Sequence, residues 1–208
     1  MRNISRRSRG GVTLIELLVV IAIIGLLTSL LVPVVFSSIR KGRETRARHL
    51  IDQVSQALQG YRTEYKEWPP CLKKLPKNAA GDYVLRVNPE ERNPHPVWRT
   101  LFITLVARAE NTAEEKILES NNRRHLRFLE VEPHMTNRPD APLEATTFVD
   151  PWNQQLNLVL DGDGDEIITG LPDKMSGKPD TFKTYGELGI WSWGYKPKKV
   201  KHSLSSWK

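Results

Sequence analysis

An α+β chain, in which one long N-terminal helix packs on a small head of short helices and an antiparallel sheet, is predicted by three features of these 208 residues. From Leu17 to Phe36 twenty positions pass without a charge, interrupted only by Gly25, Thr28, Ser29 and Pro33. Leu50, Val54, Leu58, Tyr61 and Tyr65 then recur at spacings of three and four, as on one face of a helix. The last third instead alternates apolar and polar residues between Asp, Gly and Pro turns, as strands do.

The apolar run comes first. Twenty helical residues span about 30 Å, the thickness of a bilayer's hydrocarbon core. Arg2, Arg6, Arg7 and Arg9 precede it with no acid among them, which favours an N-terminus on the cytoplasmic side. Without those four the formal charge of +7 falls to +3, too small and dispersed to point to nucleic acid, so no nucleic-acid partner is expected. A cleaved secretory signal would have a shorter apolar stretch ending in small residues, whereas this one ends in "VPVVFSSIRKG". A plain signal anchor explains length and orientation, yet leaves Glu16 unexplained. A carboxylate near the bilayer interior costs on the order of 2 to 3 kcal/mol or more, so something should pair with it.

Beyond Pro33 the pattern remains helical until "EWPPC", where Pro69 and Pro70 stop it. One helix over 12–66 would be about 80 Å long. Opposite its apolar stripe lie Arg46, Asp52, Gln53, Gln56, Gln59 and Arg62, the solvent side. In "HPVWRTLFITLVARAE", Val97, Leu101, Leu105 and Ala109 at spacings of four predict a second helix with Trp98 and Phe102 beside them. Thr112, three residues before Glu115, has a capping-box spacing that predicts a third, and "HLRFLEVEP" alternates as a strand. Leu156, Leu158 and Leu160 alternate as on a strand with one buried face, and "DGDGDE" turns the chain after them.

Few residues suggest chemistry. His95, His125 and His134 lack ligand spacing, and no nucleophile elbow, phosphate loop, zinc helix motif or dinucleotide fingerprint is present, so no enzyme is expected. The single Cys71 follows two prolines and cannot form an internal disulfide. Asp161, Asp163 and Asp165 alternate with glycines like the opening of a calcium loop, but Pro172 stands where an EF-hand would place its final glutamate. Those three aspartates could hold calcium with backbone carbonyls and water, or form a solvated Asp-Gly turn; both readings stand.

"GGVTLIELLVVIAIIGLLTSLLVP" resembles the N-terminal cleavage and methylation segment of type IV pilins and type II secretion pseudopilins. The resemblance implies a cut by prepilin peptidase between Gly11 and Val12, N-methylation of Val12, and assembly roles for Glu16, Gly25 and Pro33. Val12 departs from the commoner phenylalanine or methionine. In such filaments the new N-terminal amine meets the glutamate of a neighbouring subunit. Asp150, Pro151, Trp152 and Asn153, then Ser192 and Gly194, then Ser206 and Trp207, resemble in order the head motifs of the major pseudopilin of type II secretion. Where that family has an acidic calcium loop this chain has "YKPKKVKHSLSSW", without Asp or Glu, so calcium at that loop is not expected.

The organisation implied is a cleaved leader at 1–11, a transmembrane and assembly helix at 12–36, an amphipathic helix at 37–68, and a periplasmic head at 69–208 with an insertion at about 71–142. The partners implied are further copies of the chain, other pseudopilins, prepilin peptidase, an inner-membrane assembly platform and the inner membrane itself. The function implied is a pseudopilus subunit in protein export; the alternatives are a type IV pilin or minor pilin for adhesion, motility or DNA uptake, or a membrane-anchored periplasmic domain.

Overall fold

The structure, a computed structural model, describes residues 13–88, 95–132, 135–136, 147–173, 178–195 and 203–207. Helix α1 runs Leu14–Tyr65, and the chain divides into two compact units at Gly42. In the first unit the large apolar side chains from Leu14 to Ile39 are exposed, and α1 is long and apolar enough to cross a membrane. Two of its hydroxyls are satisfied within the helix: that of Thr28 donates to Ile24 O (2.7 Å) and that of Ser29 to Leu26 O (2.7 Å). Pro33 lies inside α1, and a side chain at Gly25 would meet nothing within 4 Å.

The second unit holds the core. Leu50, Val54, Leu58 and Tyr61 are buried as the stripe predicts, and the buried face also takes in Ala47, Ile51, Ser55 and Ala57. Arg62, expected opposite, is half-buried: it pairs with Glu187 and lies 4.9 Å from the centre of the Trp68 ring. The helix ends where Lys66 adopts a left-handed conformation (φ 60°) ahead of the two prolines. A turn of 3-10 helix, Leu72–Lys74, leads to strand β1, Tyr83–Leu85.

Helix α2 is Pro96–Val106 and α3 is Thr112–Asn121. Proline at the first position of α2 needs no hydrogen bond there, and His95 Nδ1 accepts from Val97 N (3.3 Å). Ala107 turns left-handed (φ 53°), so Ala109 falls outside α2 and Trp98, Leu101, Phe102 and Leu105 carry its buried face. The cap of α3 is one residue earlier than the Thr112 spacing predicts: the Asn111 side chain accepts from Glu114 N (3.0 Å), because Asn caps at least as well as Thr. No strand forms in residues 125–132; Phe128 N and Leu129 N both donate to Leu105 O at the end of α2. The alternation of "HLRFLEVEP" therefore reflects a segment laid on helices, with one side buried, rather than a sheet.

Strands β2 (Asn157–Leu160), β5 (Leu188–Ser192) and β6 (Leu204–Ser205) join β1 in an antiparallel sheet ordered β1-β2-β5-β6. Strands β3 (Ile167–Asp173) and β4 (Lys178–Tyr185) form a separate hairpin between β2 and β5 in sequence. One face of β2 sends Leu158 and Leu160, with Leu156 before them, into the main core with α1 and α2. Its other face sends Val159 into a second core with Ile168, Leu171 and Trp191. The strand expected to have one buried face has two, since the hairpin covers the side that alternation leaves to solvent. Gly189 makes room for that cover: a Cβ there would stand 2.8 Å from Ile168 Cδ1.

Candidate functional site

Three groups of residues bear on function. At the start of α1, Thr13 N and the Thr13 hydroxyl both donate to Glu16 Oε2 (2.7 and 2.9 Å), while Glu16 N donates to Thr13 Oγ1 (3.3 Å). This is a capping box: two end groups of the helix satisfy each other reciprocally. The Thr-Leu-Ile-Glu spacing carries that signal in the sequence, beside the charge that singles Glu16 out. Both contacts use Oε2, so among the described residues Oε1 remains open. Gly11 and Val12 lie outside the described residues.

The head motifs meet at Asp150. Its Oδ1 accepts from Trp152 N (2.9 Å) and Gln154 N (2.8 Å), closing the Pro151–Asn153 turn, and Asn153 takes a left-handed conformation (φ 60°). Its Oδ2 accepts from the Ser192 hydroxyl, whose oxygen accepts from Gly194 N (2.9 Å). Asp150 is thus fastened to the end of β5, forty-two residues away. Burial pushes its carboxyl above the ordinary range, outweighing the Ser192, Gln154 and Trp152 donors that pull it down. Trp152 faces Tyr195 with ring centres 6.2 Å apart, and Trp207 packs edge-on against Trp191 at 6.0 Å. Ser206 closes the sheet edge: Ile190 N donates to its hydroxyl and its own N–H donates to Ile190 O.

The third group is acidic. Of the three aspartates read as a cation loop, Asp161 and Asp163 come together, but with Asp82, and Asp165 is outside the group. One carboxylate oxygen from each of Asp82, Asp161 and Asp163 lies within 4.8 Å of the others. Asp165 Oδ1 instead accepts from Ile167 N (2.8 Å), closing the turn into β3. Burial pushes Asp161 up, but the Gly164, Glu166 and Asp163 N–H groups outweigh it and hold the carboxyl below the ordinary range. For Asp163 the Asp165 N–H pulls down, while burial and the adjacent carboxylates push harder, so it stands above that range. Asp82 lies too far away in sequence for any spacing to have found it.

Cys71 is buried, and burial pushes its thiol up to about 12, far from a nucleophile's range. Of the histidines, His95 caps α2 and His125 stands left-handed (φ 52°) after α3; His134 lies outside the described residues.

The chain matches the family model of the prokaryotic N-terminal methylation motif over residues 6–32. It is 34% identical over 91 residues to the type II secretion system core protein G of Pseudomonas aeruginosa, an alignment that takes in 42% of this chain and 60% of that relative. The chain therefore spans less than two thirds of the length of the curated relative it matches. No solved structure matches it.

Proposed function

We propose, from the similarity to the N-terminal methylation motif and to a type II secretion core protein G, that this protein is a structural subunit of a type II secretion pseudopilus. The precursor enters the inner membrane with its N-terminus cytoplasmic and its head periplasmic. Prepilin peptidase cuts it between Gly11 and Val12, and Val12 is N-methylated. The subunit then joins further copies and other pseudopilins through the N-terminal helix, on an inner-membrane assembly platform. Growth of the filament drives protein export, a mechanical role that needs no catalytic group.

The observation that carries this reading is the exposed apolar helix with a carboxylate near its start, one of whose oxygens is open among the described residues. Each large apolar side chain gains about 1.5 to 3 kcal/mol on leaving water, so residues 14–39 need lipid or neighbouring helices around them. Within such surroundings the Val12 amine of one subunit and Glu16 of the next neutralise each other. A subunit out of register leaves one charge alone, at a cost of about 3 to 5 kcal/mol. Gly25 and Pro33 weaken the helix where it leaves the membrane for the filament.

Glu16→Gln tests the pair, because glutamine keeps the capping box while removing the charge. Mass spectrometry should find the mature, methylated N-terminus in this variant and in Glu16→Ala, while both are missing from the sheared filament fraction. Normal incorporation of Glu16→Gln would overturn the role of the charge.

A further inference from the structure

We propose that Asp82, Asp161 and Asp163 form a calcium site that fastens the loop before β1 to the loop after β2. Asp82 is 1% exposed, and its Oδ1 has no hydrogen-bond partner. Its Oδ2 is fully used, accepting from Thr169 N (2.9 Å), the Thr169 hydroxyl (2.7 Å) and Asn78 Nδ2 (3.2 Å). A buried carboxylate oxygen without a donor is costly, and a cation among the three aspartates would supply the missing partner. Calcium holds oxygen ligands at about 2.3 to 2.6 Å, so two ligands of one ion stand at most about 5 Å apart. The mutual spacing of 4.8 Å or less meets that limit. The donor set is all oxygen, with no nitrogen or sulfur for zinc or copper, which selects a hard cation.

The backbone makes this approach possible. At Gly162 a Cβ would lie 2.3 Å from Gly81 O, and at Gly81 (φ 102°) one would lie 3.3 Å from Asp163 Cβ. Any side chain at either position would push the two loops apart. Lys77 bridges them from outside, donating to Gly162 O (3.0 Å) with its ammonium over the Tyr83 ring. The loops also hold β1 and β2 in register, since Tyr83 pairs with Leu160 directly beside them. An ion here would do for this cysteine-poor head what a disulfide does elsewhere, joining segments some eighty residues apart.

Calorimetric titration of the full-length chain in detergent micelles with calcium chloride tests the site. We expect one saturable calcium per chain, weakened by at least about tenfold in Asp163→Asn and unchanged in Asp165→Asn. Asp163 is exposed, so its variant folds whether or not the buried Asp82→Asn does; circular dichroism confirms the fold of each. Absence of saturable binding to the wild-type chain would overturn the proposal. So would binding that survives Asp163→Asn, or that Asp165→Asn weakens equally, since either places the ion elsewhere.

Discussion

At Asp150 a short motif that is weak as a string of letters becomes a physical device. The carboxylate caps the Trp152 and Gln154 amides and receives the Ser192 hydroxyl, so one buried side chain fixes both the entry to β2 and the exit from β5. Its raised carboxyl reverses the usual acid behaviour. A group protonated more readily in the folded than in the unfolded chain stabilises most below its ordinary value of 3.8. That contribution is lost as pH rises through the raised folded value. Asp150→Asn keeps acceptors for the two amides but leaves the Ser192 proton unplaced, at a cost of about 1 to 3 kcal/mol. Thermal melts of wild type and Asp150→Asn across the acid range should therefore show the wild-type advantage shrinking as pH rises above 3.8. A widening gap would mean that burial does not govern this carboxyl. Only the resemblance of its short motif made Asp150 visible beforehand, whereas its bond to Ser192 depends on a chain reversal through the whole β3–β4 hairpin. The same holds for the aspartates after β2: their spacing left a cation loop and a solvated turn both open, and the fold brings Asp161 and Asp163 beside the distant Asp82 rather than Asp165.

At the scale of elements, α1 and α2 were legible because period and burial agree there, and β2 was legible from its alternation although both of its faces are buried. What lies between α3 and β2 was not, and Asn122 shows why. It is fully buried, donating to Thr104 O (2.8 Å) and Leu126 O (2.7 Å) and accepting from Leu126 N (3.1 Å) and the Tyr65 hydroxyl (2.6 Å). One side chain thus holds the end of α2, the segment after α3 and the last turn of α1. A single asparagine in "ESNNRR" carries no periodic signal, and the apolar alternation that follows it suits a strand as well as a segment pinned to helices. Phe128 sits against Tyr61 and Tyr65, with ring centres 5.4 and 6.2 Å away, so this segment packs on α1. Asn122→Ala removes four hydrogen bonds, those to Thr104 O, Leu126 O, Leu126 N and the Tyr65 hydroxyl, and should cost about 3 kcal/mol or more, lowering Tm by roughly 6 to 12 °C. Asn111→Ala, which removes only the cap of α3, should cost about 1 kcal/mol. Equal losses in a melting comparison would show that the segment after α3 is not anchored through Asn122.

For the whole molecule, the arrangement of apolar surface separates what folds from what assembles. The buried hydrophobic residues begin at Ala47 and continue through Leu204, all in the unit that starts at Arg43, while the exposed ones cluster from Leu14 to Ile39. The sequence made the second fact plain, since an unbroken apolar run cannot be one face of anything. It placed the change of character at Phe36, where the apolar run ends, whereas the second compact unit begins at Arg43, one turn ahead of the first buried residue, Ala47. Folding free energy comes from burial, so the exposed apolar residues from Leu14 to Ile39 contribute little to the stability of the second unit. A chain beginning at Arg43 retains every buried side chain of the stripe on α1, with one helical turn ahead of Ala47 to absorb fraying. It should be soluble without detergent, give the near-UV dichroism of buried Trp98 and Trp191, and melt within about 4 °C of the full-length chain in micelles, a difference worth roughly 1 kcal/mol. It should also fail to enter filaments, because the exposed helix and Glu16 are gone. A molten truncated chain would show that the apolar helix takes part in folding the head, and incorporation of the folded truncated chain would place the assembly surface on the head instead.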